Sequence, residues 1–209
     1  MSVTHLEILV EERSMEAFLQ ELLPRTLPEG STFSIFTHEG KADLLNKLPS
    51  RLNGYSKWLP PNYGIVVIVD RDADDAAQLK KQIESCFLDN SIVSKTQAED
   101  DDFAALSRIA IEEPEAWYFG NWEATCRSFP RLPTTVPQRA KYRNSDEITG
   151  GTWEAFEREC KNAGYFSTGL RKVEAARMIG REIRLAENRS PSFAKLTTGL
   201  SRLLGSDLR

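Results

Sequence analysis

Ile65-Val66-Val67-Ile68-Val69-Asp70-Arg71-Asp72-Ala73-Asp74-Asp75 is the stretch on which the reading of this chain turns. Five consecutive β-branched apolar residues predict a strand buried on both faces, as strands inside parallel sheets are. Hydrophobicity then stops at once, and four aspartates fall within six residues. Open α/β sheets bind ligands at the carboxyl ends of their strands. Clustered carboxylates there suit a hard divalent cation, Mg²⁺ or Mn²⁺. Asp74 and Asp75 also fit a plainer role, capping the helix-like segment from Ala76 to Ser85.

On both sides of this strand the chain alternates between strand and helix patterns. Leu6 to Val10 reads as a first strand ending at Glu11-Glu12, and Ser14 as the N-cap of a helix whose apolar spacing runs from Met15 to Leu23 and stops at Pro24. Thr32 to Thr37 is a second strand, and Gly40-Lys41 opens a helix with a leucine stripe at Leu44, Leu45, Leu48 and Leu52. After the central strand come a short strand around Ile92-Val93, an acidic loop from Glu99 to Asp102, and a fifth strand from Arg108 to Ile111. That strand runs into Glu112-Glu113-Pro114-Glu115. The predicted fold is α/β, with a mostly parallel central sheet flanked by helices and a helical C-terminal extension.

The composition of the 209 residues, 40% hydrophobic and 28% charged, is that of an ordinary globular chain. No run approaches the ~20 apolar residues of a membrane helix, and the early strand leaves no pattern of a secretory signal. Cys86, Cys126 and Cys160 are odd in number and widely spaced, which predicts reduced thiols in a cytoplasmic protein rather than disulfides or zinc. With two histidines in all, any metal would be held by oxygen.

The net charge of −4 hides a division. Residues 1–126 carry 11 Lys+Arg against 22 Asp+Glu, whereas residues 127–209 carry 16 against 9. We therefore divide the chain into an acidic α/β core, 1–126, and a basic linker with closing helices, 127–209. The helices are expected over Thr152–Asn162, Leu170–Leu185 and Ser192–Leu204. Residues 127–151, rich in proline and poor in apolar side chains, read as a long irregular connection that could order on binding. A metal site beside a phosphate-gripping surface would give this charge pattern, and so would two surfaces that merely attract each other in a homo-oligomer.

Three strand ends carry acids: Glu11 and Glu12, then Asp70 and Asp72 with Asp74 nearby, then Glu112, Glu113 and Glu115. In a parallel sheet these ends share one edge. Crowded carboxylates repel by about 4 kcal/mol per pair at 4 Å and an effective dielectric of 20, and a cation offsets this. Metal-assisted phosphoryl transfer needs such a convergence.

A glutamate closing the first strand and an Asp-x-Asp closing the third resemble the Toprim domain of topoisomerases, primases and overcoming-lysogenization-defect nucleases. More closely, nearly the whole chain resembles a family of small bacterial Toprim-like proteins, often encoded beside an ABC-type ATPase. The resemblance rests on six segments in order: Val10-Glu11-Glu12-Arg13-Ser14, His38-Glu39-Gly40-Lys41-Ala42-Asp43-Leu44-Leu45, Asp70-Arg71-Asp72, Glu113-Pro114-Glu115-Ala116-Trp117-Tyr118, Lys172-Val173-Glu174-Ala175-Ala176-Arg177 and Asn188-Arg189-Ser190-Pro191-Ser192-Phe193.

That resemblance implies a metal-dependent nuclease acting in anti-phage defence with an ATPase partner. It makes Glu11 the general acid/base or first metal ligand, Asp70, Asp72 and Glu115 metal ligands, and Lys172 a stabiliser of phosphate charge. Glu12, Asp74 and Glu113 are further candidates. Most Toprim proteins carry glycine after the first glutamate; here Glu12 stands there, leaving open which of the pair faces the metal. Arg139, Lys141, Arg143, Arg171, Arg177 and Arg189 would grip nucleic acid, DNA or RNA. Two other readings stand beside it. One is an aspartate-nucleophile phosphatase, whose Asp-x-Asp is usually on the first strand. The other is a non-catalytic Toprim-like subunit that docks an ATPase. Gly40-Lys41 lacks the glycine spacing and following Ser/Thr of a phosphate loop.

Overall fold

The computed structural model describes residues 3–72, 74–100, 102–110 and 113–209. Among them, four parallel strands form the sheet: β1 (His5–Val10), β2 (Thr32–Thr37), β3 (Tyr63–Asp70) and β4 (Ala105–Ala110), in the order β2-β1-β3-β4. β3 contains the five-residue apolar run, and Ile65 to Val69 are all buried because both faces are covered. In register, Val10 lies beside Ile68, and Asp70 beside Ala110. The strands therefore end together along one edge.

Alternation along each strand separates two cores. Ile8, Val10, Val66, Ile68 and Leu106 face the larger one, with α1 (Arg13–Thr26) and the C-terminal helices. Leu9, Ile65, Val67 and Val69 face a smaller one, with α2 (Lys41–Trp58) and α3 (Ala76–Asp89). From β1 the chain crosses to β2 by α1 on one face, then returns past β1 to β3 by α2 on the other. The winding thus reverses between β1 and β3, the switch point where open α/β sheets bind ligands.

The second half packs onto the larger core: α4 (Glu115–Gly120), α5 (Trp122–Ser128), α6 (Thr152–Asn162), α7 (Lys172–Glu182) and α8 (Pro191–Leu204). The intervening segment is held rather than loose. It forms three short 3₁₀ turns and buries Leu132, Val136, Tyr142 and Ile148. Asp146 fastens it to α8, accepting from the Ser190 hydroxyl at 2.6 Å and the Ser192 N–H at 2.7 Å. Four apolar side chains spaced through 17 residues were enough, although no periodicity announces them.

Three local expectations change. Ile92 and Val93 form no strand, since only Ser94 bridges to Ala105, so the strand read as fifth is β4. Residues Ile111 and Glu112 lie outside the described residues. Helix α1 begins at Arg13, with Glu12 at the N-cap position rather than Ser14, and continues through Pro24 to Thr26. A proline in the last turn forfeits one N–H bond without ending the helix.

Candidate active site at the switch point

Glu11 and Glu12 leave the end of β1 in different directions, and each joins a separate group of charges. Glu11 Oε2 accepts from the Asp70 N–H at 3.2 Å, tying the ends of β1 and β3 together. Beside it Lys41, the first residue of α2, donates to Asp74 Oδ2 at 2.6 Å and to the Arg71 carbonyl at 3.1 Å, and pairs with Asp72 at 2.7 Å. Gly40, at φ 95°, supplies the turn that brings Lys41 there. Asp72 itself adopts φ 49°, a left-handed backbone that asparagine and aspartate tolerate best after glycine. Asp75 is spent as the cap of α3, accepting from Ala77 and Gln78 N–H, which is the plainer of the two roles expected for it.

The second group lies on the α4 side. Glu12 accepts from the Ser14 hydroxyl. Glu113 is committed to structure, its Oε2 capping α6 through Thr152 Oγ1 at 3.1 Å and Trp153 N–H at 2.9 Å. Lys172 approaches Glu113 at 3.6 Å and lies over the Trp153 ring. Glu115 has no such engagement: it is 2% exposed, and its Oε2 meets no hydrogen-bond partner. One turn later Tyr118 is buried with its hydroxyl equally unpartnered. Sequence reasoning passed over Tyr118, although a spacing of three residues puts it on the Glu115 face of α4.

Asp70, 6% exposed, stands between the two groups. Burial first, then the charges of Glu11, Glu115, Glu12 and Asp72, raise its carboxyl well above the usual range. Burial likewise raises Glu11, opposed by the Asp70 N–H. Glu115 is pushed up to about 8 by burial, with Lys172 pulling the other way. Burial works against the charge of Lys172, but Glu115, Glu12, Glu113 and Asp70 together raise its ammonium. Lys41 is raised too: burial opposes its charge, and hydrogen bonds to Asp72 and Asp74 outweigh it.

These shifts set a pH dependence. Folded Glu115 keeps its proton to about pH 8, whereas the unfolded carboxyl releases it near 4.5. Between those values the folded state binds the extra proton, so stability falls as pH rises, by at most about 1.4 kcal/mol per pH unit from this group. Asp70 acts with the same sign. Melting in EDTA across this range should show a shallower decline in Glu115→Gln than in wild type. An unchanged slope would contradict the assignment.

The residues fit a divalent cation by chemistry: oxygen donors, net negative charge, and two buried carboxyls, Asp70 and Glu115. Among the described residues, however, no three His, Cys, Asp or Glu side chains stand close enough to enclose an ion. The lysines hold part of the negative edge instead.

Most of the basic residues expected to grip nucleic acid make local contacts within the fold. Arg139 is bound to the buried Glu159 at 2.8 Å. Lys141 covers the Tyr142 ring, Arg171 pairs with Glu174, and Arg177 approaches Glu21. Arg143 and Arg189 line a cavity of about 720 Å³ beside Trp122 and Tyr142.

Residues 10–201 match the family described as Domain of unknown function (DUF4276). The chain belongs to the DUF4276 family. No curated protein and no solved structure matches it. The DUF4276 match takes in both glutamates after β1, the Asp70–Asp75 loop, Glu115, Tyr118 and Lys172, so the whole acidic edge lies within the shared region. No helix among the described residues of this DUF4276 chain is long and apolar enough to cross a membrane.

Proposed function

We propose that this chain is a Mg²⁺- or Mn²⁺-dependent nuclease of Toprim type that cleaves nucleic-acid phosphodiesters. The observation that carries the reading is the pair of buried carboxyls, Asp70 and Glu115, beside Glu11 at the sheet's switch point. Burying unpaired acids is expensive, and a bound cation offsets the cost. Asp70, Glu11, Asp72 and Glu115 are the residues to hold it. When bound, such a cation activates water and stabilises charge on the reacting phosphate. Lys172, whose ammonium is raised by Glu115, Glu12, Glu113 and Asp70, would turn to phosphate oxygens. Glu11, raised by burial, is the proton acceptor. Action in bacterial anti-phage defence beside an ABC-type ATPase rests on the family resemblance alone, and a cytoplasmic location on the odd, widely spaced cysteines.

The second reading is a non-catalytic Toprim-like subunit of an ATPase complex. It is favoured by Lys41, whose two carboxylate contacts neutralise part of the edge without a metal. Plasmid nicking in Mn²⁺, with Glu11→Gln alongside, separates the two. The nuclease reading expects nicking by the wild type and loss on the order of a hundredfold or more in the variant. Equal rates in both proteins would dismiss catalysis; manganese-dependent stabilisation without nicking would leave the subunit.

A further inference from the structure

Away from the acidic groups, a cleft of about 590 Å³ opens between the start of α3, the outer strand β4 and α8. Lys80, Lys95, Arg108 and Lys195 line it, with no carboxylate among the described residues of the lining; Ala76 and Ile109 give it apolar wall. Its volume lies in the range of small-ligand sites.

Arg108 is the fixed element. Its Nε donates to the Lys195 carbonyl at 2.9 Å and its Nη1 to the Ser107 carbonyl at 2.7 Å. Both partners are neutral, and no ion pair to this guanidinium is formed among the described residues. The space it occupies exists because residue 199 is glycine: a Cβ there would come within 2.1 Å of Nη2. The carboxylate whose charge reaches Arg108 is Glu84, and its oxygens are already taken by Ser94, Thr96 and Ser107 hydroxyls. The N-terminus of α3 is also engaged, by Asp75. A partly desolvated cation with only neutral partners among the described residues is costly, and an incoming anion relieves that cost.

We propose that this cleft binds a phosphate group, with Arg108 and Lys195 contacting its oxygens and Lys80 completing the positive wall. A fixed guanidinium beside ammonium groups suits an anion with several oxygens and more than one charge. The phosphate could belong to a free nucleotide or to a nucleic-acid strand, because the chemistry at the oxygens is shared. Arg108 lies in register with Ile68, two residues before Asp70, so a strand in this cleft could also reach the acidic edge. The proposal depends on the cleft alone and not on the nuclease reading.

The test is binding in EDTA, which removes metal-dependent contacts, with the full chain. ATP is measured by calorimetry and a short labelled single strand by anisotropy, against wild type, Lys195→Gln and Arg108→Gln. Lys195 is exposed, so its variant keeps the test valid should Arg108→Gln misfold. Each variant should bind on the order of tenfold more weakly, with the strand's salt dependence shallower by about one unit of slope per cation removed. Weakening with ATP supports a free-nucleotide source, and weakening confined to the strand supports the polymer. Absence of binding by either probe, or equal affinity in wild type and variants, overturns the proposal. So does a polyglutamate peptide that binds as tightly as the phosphate probes, since the cleft would then be a generic cationic patch.

Discussion

Asp70→Asn is expected to remove Mn²⁺-dependent cleavage on the order of a thousandfold and, in the same protein, to raise the melting temperature. The amide keeps the shape of the carboxylate and removes its charge. Asp70 is buried, with Glu11, Glu115, Glu12 and Asp72 all acting against its ionised form, so neutralising it relieves repulsion at every one of those sites. Each kcal/mol relieved is worth roughly 2–4 °C for a chain of this size. The same change removes the donor that the proposed chemistry most needs. Opposite signs matter here, because a variant that loses activity by unfolding loses both. Thermal melts in EDTA and nicking assays in Mn²⁺ read the two effects. Retained cleavage would end the nuclease reading, and a lowered melting temperature would show that the buried charge is satisfied after all.

Trp117→Ala should cost about 3–5 kcal/mol of folding free energy, the largest loss expected from a single truncation in this chain. The ring is 1% exposed and packs against Phe18 of α1 at 5.6 Å and Phe193 of α8 at 5.4 Å. Its Nε1–H donates to Ser192 Oγ at 2.9 Å, while the backbone carbonyl of the same residue accepts from Asn188 Nδ2 at 3.0 Å. One side chain thus joins α4, which carries Glu115 and Tyr118, to both neighbouring helices. Urea unfolding measures the loss. Trp117→Phe should recover most of it, leaving about 1 kcal/mol for the missing indole donor. An alanine variant within 1 kcal/mol of wild type would show that α4 is held by other contacts.

What could be read from the residues depended on whether a signal was local. Burial on both faces writes itself into β3 as an unbroken β-branched run, and the break at Asp70 marks the sheet edge without further information. Thr32–Thr37 and Thr152–Asn162 were likewise bounded by their own sequence. Glu113 and Glu115 are a different case. Separated by one proline, they look equivalent, and what distinguishes them is that Thr152 and Trp153, some forty positions later, occupy Glu113. Arg139 reads as a free basic residue because its partner, the buried Glu159, lies in another helix. Ile92-Val93 has strand composition, but its contact with β4 stops at the Val93 carbonyl and a single bridge at Ser94. Lys41 could be read as opening its helix, but not its hold on Asp72 and Asp74, which needs α2 and the loop after β3 to be side by side.

Asp72 sits where the chain bends into a conformation that costs an L-residue on the order of 1 kcal/mol. Glycine would be the cheaper occupant, and a designer seeking only robustness would install it. Doing so would remove one of the two carboxylates that hold Lys41, leaving Asp74 and the Arg71 carbonyl to keep that ammonium at the rim. The chain bears a small thermodynamic handicap at this corner, and what it keeps in return is a charged latch between two segments separated by thirty residues.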